Sequence, residues 1–212
     1  MFVGRAGEFM FESIDRETES ELVDTIDRDR LTDHVDQLAK LTRHSGSEGE
    51  RAGTDYVVEQ LREYGVDVDY NEYETYISNP EDAAVTVTAP TEWTVPDDEV
   101  ITVAFGGATP PAGVHGEVVY IPDITDEALE ALDLSGKIAL TLGLPTPGPV
   151  EKLAEADAKA AIFESPTEGH CHEMIVTPVW GTPGIDDESR IHSLPVVEVS
   201  QSAGERLRAQ IE

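Results

Sequence analysis

A chain of 212 residues carries 44 acidic side chains against 14 basic ones, for a net charge of −30, yet 39% of its residues are hydrophobic. That is enough apolar material for one large domain or two small ones, with a core of Val, Ile, Leu and Ala because only 6% of residues are aromatic. The balance excludes nucleic acid and anionic membranes as partners, since both need clustered Lys and Arg, and the single cysteine, Cys171, excludes an intrachain disulfide.

The acids do not form one block but alternate with periodic apolar residues, which points to a folded protein with an acidic surface rather than a disordered tail. Lysine occurs only at Lys40, Lys137, Lys152 and Lys159, and arginine outnumbers it. A compact chain with this charge repels itself at ordinary ionic strength. At molar salt the Debye length falls to about 3 Å and the repulsion is screened. The composition therefore predicts a halophilic protein, whose melting temperature should rise as KCl is raised; a flat melting curve would contradict this. The opening Met-Phe-Val-Gly-Arg-Ala-Gly-Glu lacks a cationic start followed by an apolar run, and no stretch approaches the roughly 18 apolar residues of a membrane span. The expected compartment is the cytoplasm.

Residues 1–16 show no period and are expected to be loosely ordered. From Glu17 the pattern turns helical, with Leu22, Val23 and Ile26 and then Leu31, Val35, Leu38 and Leu41 on one apolar stripe, broken near Asp29. Arg43 to Gly49 reads as a Gly- and Ser-rich loop. A second helix is expected over 50–64, with Tyr56, Val57, Leu61 and Tyr64 buried and Gly65 as its cap. Period-two alternation then predicts strands at Val66 to Tyr70 and at Val85 to Val87, a short one near Trp93, and another over Val100 to Phe105. The rear reads as a small α/β unit. Strands are expected at 117–121, 137–142, 160–163, 174–179 and 195–199. Helices are expected at 126–132, 150–157 and 202–211, with Pro145, Pro147 and Pro149 breaking the chain before the middle one. The predicted fold class is therefore mixed α/β (α+β), with helices in front, strands in the middle and a small α/β unit in the rear.

Few residues offer chemistry. His34-Val35-Asp36 has the His-x-Asp spacing of a zinc site, but it lies in a helical pattern, where residues two apart do not face each other. Val35 is expected in the core and its neighbours in solvent. His170-Cys171-His172 followed by Glu173 brings soft and imidazole ligands into a loop, but adjacent residues rarely reach one ion, and no Cys-x-x-Cys accompanies them. Gly106-Gly107 lacks the helix start of a phosphate loop, and no Gly-x-Ser-x-Gly elbow occurs. Trp180-Gly181-Thr182-Pro183-Gly184 can wall a pocket or anchor a loop.

Taken in order, these segments resemble a family. The loop Arg43, Gly46, Ser47, Gly49 between helices carrying Leu38, Leu41, Ala52, Tyr56 and Leu61 is similar to the start of M28-type zinc aminopeptidases. Asp133-Leu134-Ser135-Gly136-Lys137-Ile138, then Ala154 to Phe163, then Leu194-Pro195-Val196-Val197 with Gly204 and Leu207, resemble the protease-associated domain inserted in such enzymes. One departure is Asp157-Ala158, where the family often has Gly-Ala.

The resemblance implies residues 17–90 as helices and strands of a peptidase domain and 91–212 as a protease-associated domain with an open, barrel-like sheet. It implies two zinc ions, held by a His-x-Asp, an Asp-Asn and a Glu-Glu motif that follow the insert. No Asp-Asn and no Glu-Glu dipeptide occurs in the chain. No catalytic residue and no metal ligand are therefore assigned within it, and zinc is expected only in a catalytic part beyond Glu212. The expected partners are that catalytic part, peptide substrates and a second copy of the chain. The implied function is to cover the active-site cleft and influence peptide access, with His172, Trp180, Gly181, Thr182 and Pro183 as cleft-facing candidates. The alternative is a stand-alone protein- or peptide-binding module.

Overall fold

The computed structural model describes residues 15–177, 179, 183–191 and 193–211. The expectation for residues 1–16 lies almost wholly outside them. The chain divides into two compact units, Met1–Val68 and Asp69–Glu212.

The first unit holds three helices, α1 (Arg16–Asp24), α2 (Arg28–Ala39) and α3 (Glu48–Glu63). The break between α1 and α2 falls at Thr25 to Asp27 rather than near Asp29, because the Asp27 carboxylate caps α2 by accepting from the Arg30 N–H at 3.1 Å. The Arg43 to Gly49 loop is built from specific contacts. The Arg43 guanidinium donates to the carbonyl of Leu38 at the end of α2. Ser47 caps α3 through the Glu50 N–H at 3.1 Å, and the Glu50 side chain reaches back to the Gly46 N–H. Gly49 is obligatory, because a Cβ there would lie 1.9 Å from the Thr42 carbonyl oxygen. Gly65, at φ +80°, ends α3 with the Val66 N–H donating to Leu61 O at 2.9 Å.

Two expectations for this unit are corrected. Val35 is not in a core: it is 64% exposed, and Leu31, Val57, Leu61 and Tyr64 are also exposed. His34 does not point to solvent. Its Nδ1 is 2.6 Å from the Tyr56 hydroxyl and its Nε2 is 2.9 Å from that of Tyr64, so it joins α2 to α3.

The second unit is built on two sheets. Strands β1 (Thr86–Val87) and β2 (Trp93–Thr94) form an antiparallel pair. Strands β3 (Val100–Thr102), β4 (Val118–Ile121), β5 (Ile138–Leu142), β6 (Ala160–Glu164) and β7 (Val196–Val199) form an open sheet in the order β3-β7-β6-β5-β4. It is parallel except for β3, which runs antiparallel to β7. Helices α4 (Asp126–Glu130), α5 (Pro147–Glu155) and α6 (Gln201–Ile211) complete the unit. This is the mixed α/β class expected from the sequence.

Alternation along the central strands divides the core in two. Ala139, Ala161, Phe163 and Val196 pack on one side with Val150 and Leu153 of α5. Leu140, Ile162 and Val199 pack on the other with Ala203 and Leu207 of α6, joined by Val85, Val87 and Trp93.

Three further expectations change. Val66 to Tyr70 forms no strand, because no other segment among the described residues pairs with it. The strand expected at 174–179 is not regular over 174–177, and Pro178 lies outside the described residues; Ile175 makes a parallel bridge to Ala104, with the Val176 N–H donating to Ala104 O at 3.1 Å. Pro147 starts α5 rather than breaking the chain, since a first-turn proline has no hydrogen bond to lose. The departure at Asp157 also finds its reason: this residue ends α5 at φ +61°, a conformation that favours glycine, and its carboxylate accepts from the Ser135 hydroxyl at 3.0 Å.

Candidate functional site

In open α/β sheets, ligand sites lie beyond the carboxyl ends of the parallel strands. Here those ends carry two buried carboxylates. Glu164 closes β6 and Glu198 lies next to last in β7, at 1% and 0% exposure. A buried carboxylate must be paired or bonded, and each is.

Glu164 faces α6 and takes a two-pronged hydrogen bond from Arg208, Nε to Oε2 at 2.7 Å and Nη2 to Oε1 at 2.9 Å. Glu198 faces the other side, where the loop after β6 crosses. It accepts from the main-chain N–H of His172 at 3.0 Å, and its other oxygen lies 3.0 Å from the ring Nδ1. Ser165, fully buried, organises that loop by donating to the His170 carbonyl at 2.6 Å and accepting from the Thr167 N–H at 3.2 Å.

Of the cleft-facing candidates, His172 thus turns inward, with its side chain 26% exposed. Pro183 is buried, and its carbonyl accepts from the Tyr76 N–H at 2.9 Å and from the Thr75 hydroxyl. Trp180, Gly181 and Thr182 lie outside the described residues.

The cluster contains an acid, an imidazole and a hydroxyl in sequence: Glu198 at Nδ1 of His172, and Thr167 Oγ1 at 3.3 Å from Nε2. A hydrolytic relay also needs a substrate space and donors for the oxyanion. One groove of this unit lies at the opposite ends of the strands, and Thr167 does not line it. Cys171 is no better placed as a nucleophile. Burial, reinforced by the Glu198 and Glu99 carboxylates, pushes its thiol up, away from the reactive thiolate. Among the described residues no three His, Cys, Asp or Glu side chains converge to hold a metal ion, and no helix is long and apolar enough to cross a membrane.

A third carboxylate, Glu99, accepts from the Ser200 hydroxyl and from the Ser202 hydroxyl at 2.8 Å. Ser200 in turn accepts from the Ala203 N–H at 3.1 Å and so caps α6. These bonds hold Glu99 below the usual carboxylate range, Ser200 contributing most. A depressed carboxylate stabilises the fold above its ordinary value of 4.5, and that stabilisation is lost as the pH falls through the lower folded value. Glu99→Gln should therefore be less stable than wild type at neutral pH, and the gap should narrow progressively as the pH falls below 4.5, as urea midpoints would show.

Sequence reasoning missed Glu198, Glu164 and Ser165. A signal was present: a charged residue within Val196-Val197-Glu198-Val199, and another directly after Ala160 to Phe163, interrupts runs that otherwise read as fully buried strands.

No family model matches the chain. In sequence it is similar to a probable lipoprotein aminopeptidase, LpqL, of Mycobacterium tuberculosis, with 27% identity over 198 residues that cover 87% of this chain and 36% of that protein. In structure it is similar to an aminopeptidase from Aneurinibacillus sp. strain AM-1, at TM-score 0.52 and 21% identity, over 86% of this chain and 40% of that one. It is also similar to a zinc aminopeptidase from Bacillus subtilis, at TM-score 0.52 and 18% identity, over 84% of this chain and 41% of that one. The chain thus spans well under half the length of each of these relatives. It shares the fold of part of two solved aminopeptidases and is similar in sequence to part of a third.

Proposed function

We propose that the chain is the non-catalytic front portion of an M28-type zinc aminopeptidase, with a protease-associated domain that covers the active-site cleft and influences which peptides enter. The observation that carries this reading is the sequence similarity along 87% of the chain to 36% of an aminopeptidase. The order of the Arg43 to Gly49 loop, the Asp133 to Ile138 segment and the Leu194 to Val197 strand supports the same assignment.

In this reading zinc and its ligands belong to the remaining part of the protein, as do the peptide-hydrolysing groups. The exposed faces of α2 and α3, with Leu31, Val35, Val57 and Leu61, are where that part would pack. The coding sequence after residue 212 tests the reading. It should continue in frame with Asp-Asn and Glu-Glu motifs; a stop codon there would favour the stand-alone binding module.

A further inference from the structure

A groove of about 780 Å³ opens where the parallel strands begin. Ile138, Ile162 and Val197 of the sheet and Leu207 of α6 line it, together with residues 84–89 and 111–118. β1 lines it and β2 does not, so the unpaired edge of β1 faces the groove. The Val95 N–H donates to Val85 O at 2.9 Å, and Thr86 lies opposite Thr94. Hydrogen-bonded and non-bonded pairs alternate in an antiparallel ladder, so Thr86 turns its N–H and C=O away from β2. Neither group pairs with another described residue. An apolar trough beside a free strand edge is the arrangement that captures an extended peptide by strand addition.

Charge narrows the occupant. Among the described residues the lining contains no Lys or Arg, and its one fixed charge is Glu117. A second copy of the chain, also at −30, is repelled, as are other polyanions. We infer that the groove binds an extended peptide that is apolar on one face and cationic on the other. The peptide adds to the Thr86 edge and buries alternate side chains against Ile138 and Val197, the half-buried apolar residues of the groove floor. This goes beyond the aminopeptidase reading and does not rest on it, because the groove lies wholly within the second unit.

The test is fluorescence anisotropy, at the lowest KCl concentration at which circular dichroism shows the purified chain folded, with labelled peptides that alternate Val with Lys or Ser with Lys. The acidic surface attracts any cationic peptide, so the variants keep the charge. Thr86→Pro removes the outward N–H, and Ala112→Trp fills the groove. The Val-Lys peptide should bind wild type about tenfold more tightly than the Ser-Lys peptide, and should lose about tenfold in affinity with either variant. The inference is overturned if the two peptides bind alike or if Ala112→Trp, folded by circular dichroism, binds the Val-Lys peptide as wild type does.

Discussion

Arg208→Met should destabilise the second unit by about 3 kcal/mol, measured by urea denaturation at fixed high salt. The guanidinium satisfies both oxygens of Glu164, a carboxylate at 1% exposure. Methionine keeps much of the stem's packing but leaves that carboxylate buried and unpaired. The cost of an orphaned buried charge exceeds the attraction that the pair supplies. A second substitution should confirm this cause: Glu164→Gln added to Arg208→Met should recover part of the loss, because a neutral amide is cheaper to bury than a carboxylate. Equal stability of the two variants would show that the lost packing, not the charge, sets the cost.

Gly204→Ala tests the same contact from the other side. Alanine is the better helix former by about 1 kcal/mol, so in an open stretch of α6 the change would stabilise. At this position a Cβ would lie 2.2 Å from Cγ of Glu164 and 2.6 Å from its Cβ and Cδ. Glu164 cannot retreat, since Arg208 holds its carboxylate and β6 fixes its main chain. The clash should outweigh the helix propensity, for a net loss of about 2 kcal/mol. A gain in stability would mean that α6 can lift from the sheet without penalty.

The fold was legible where one residue pattern decided it. Ile138 to Leu142 and Ala160 to Phe163 are short apolar runs that only a strand covered on both faces explains, and both are central strands. Arg43 to Gly49 read as a loop from its glycines, and the structure adds that Gly49 is required by the Thr42 carbonyl. Legibility failed where pairing decides. Val66 to Tyr70 has a strand's alternation but pairs with no strand among the described residues, and Met174 to Thr177 is joined there only through a bridge at Ala104. Periodicity records which face is apolar, not whether a partner arrives. The polar cluster was half legible. His172 stood out by its residue type, whereas its partner Glu198 lies 26 residues away, a distance that local reasoning does not span.

The central proposal is that this chain contributes to an aminopeptidase without carrying its chemistry. It rests on the lack of Asp-Asn and Glu-Glu motifs in the sequence and on similarity to under half of each relative. The most direct measurement is hydrolysis of aminoacyl substrates and short peptides by the purified chain at high KCl, with added zinc and with a chelator. The account predicts no release of amino acid above background in either condition. Zinc-dependent release abolished by the chelator would contradict it.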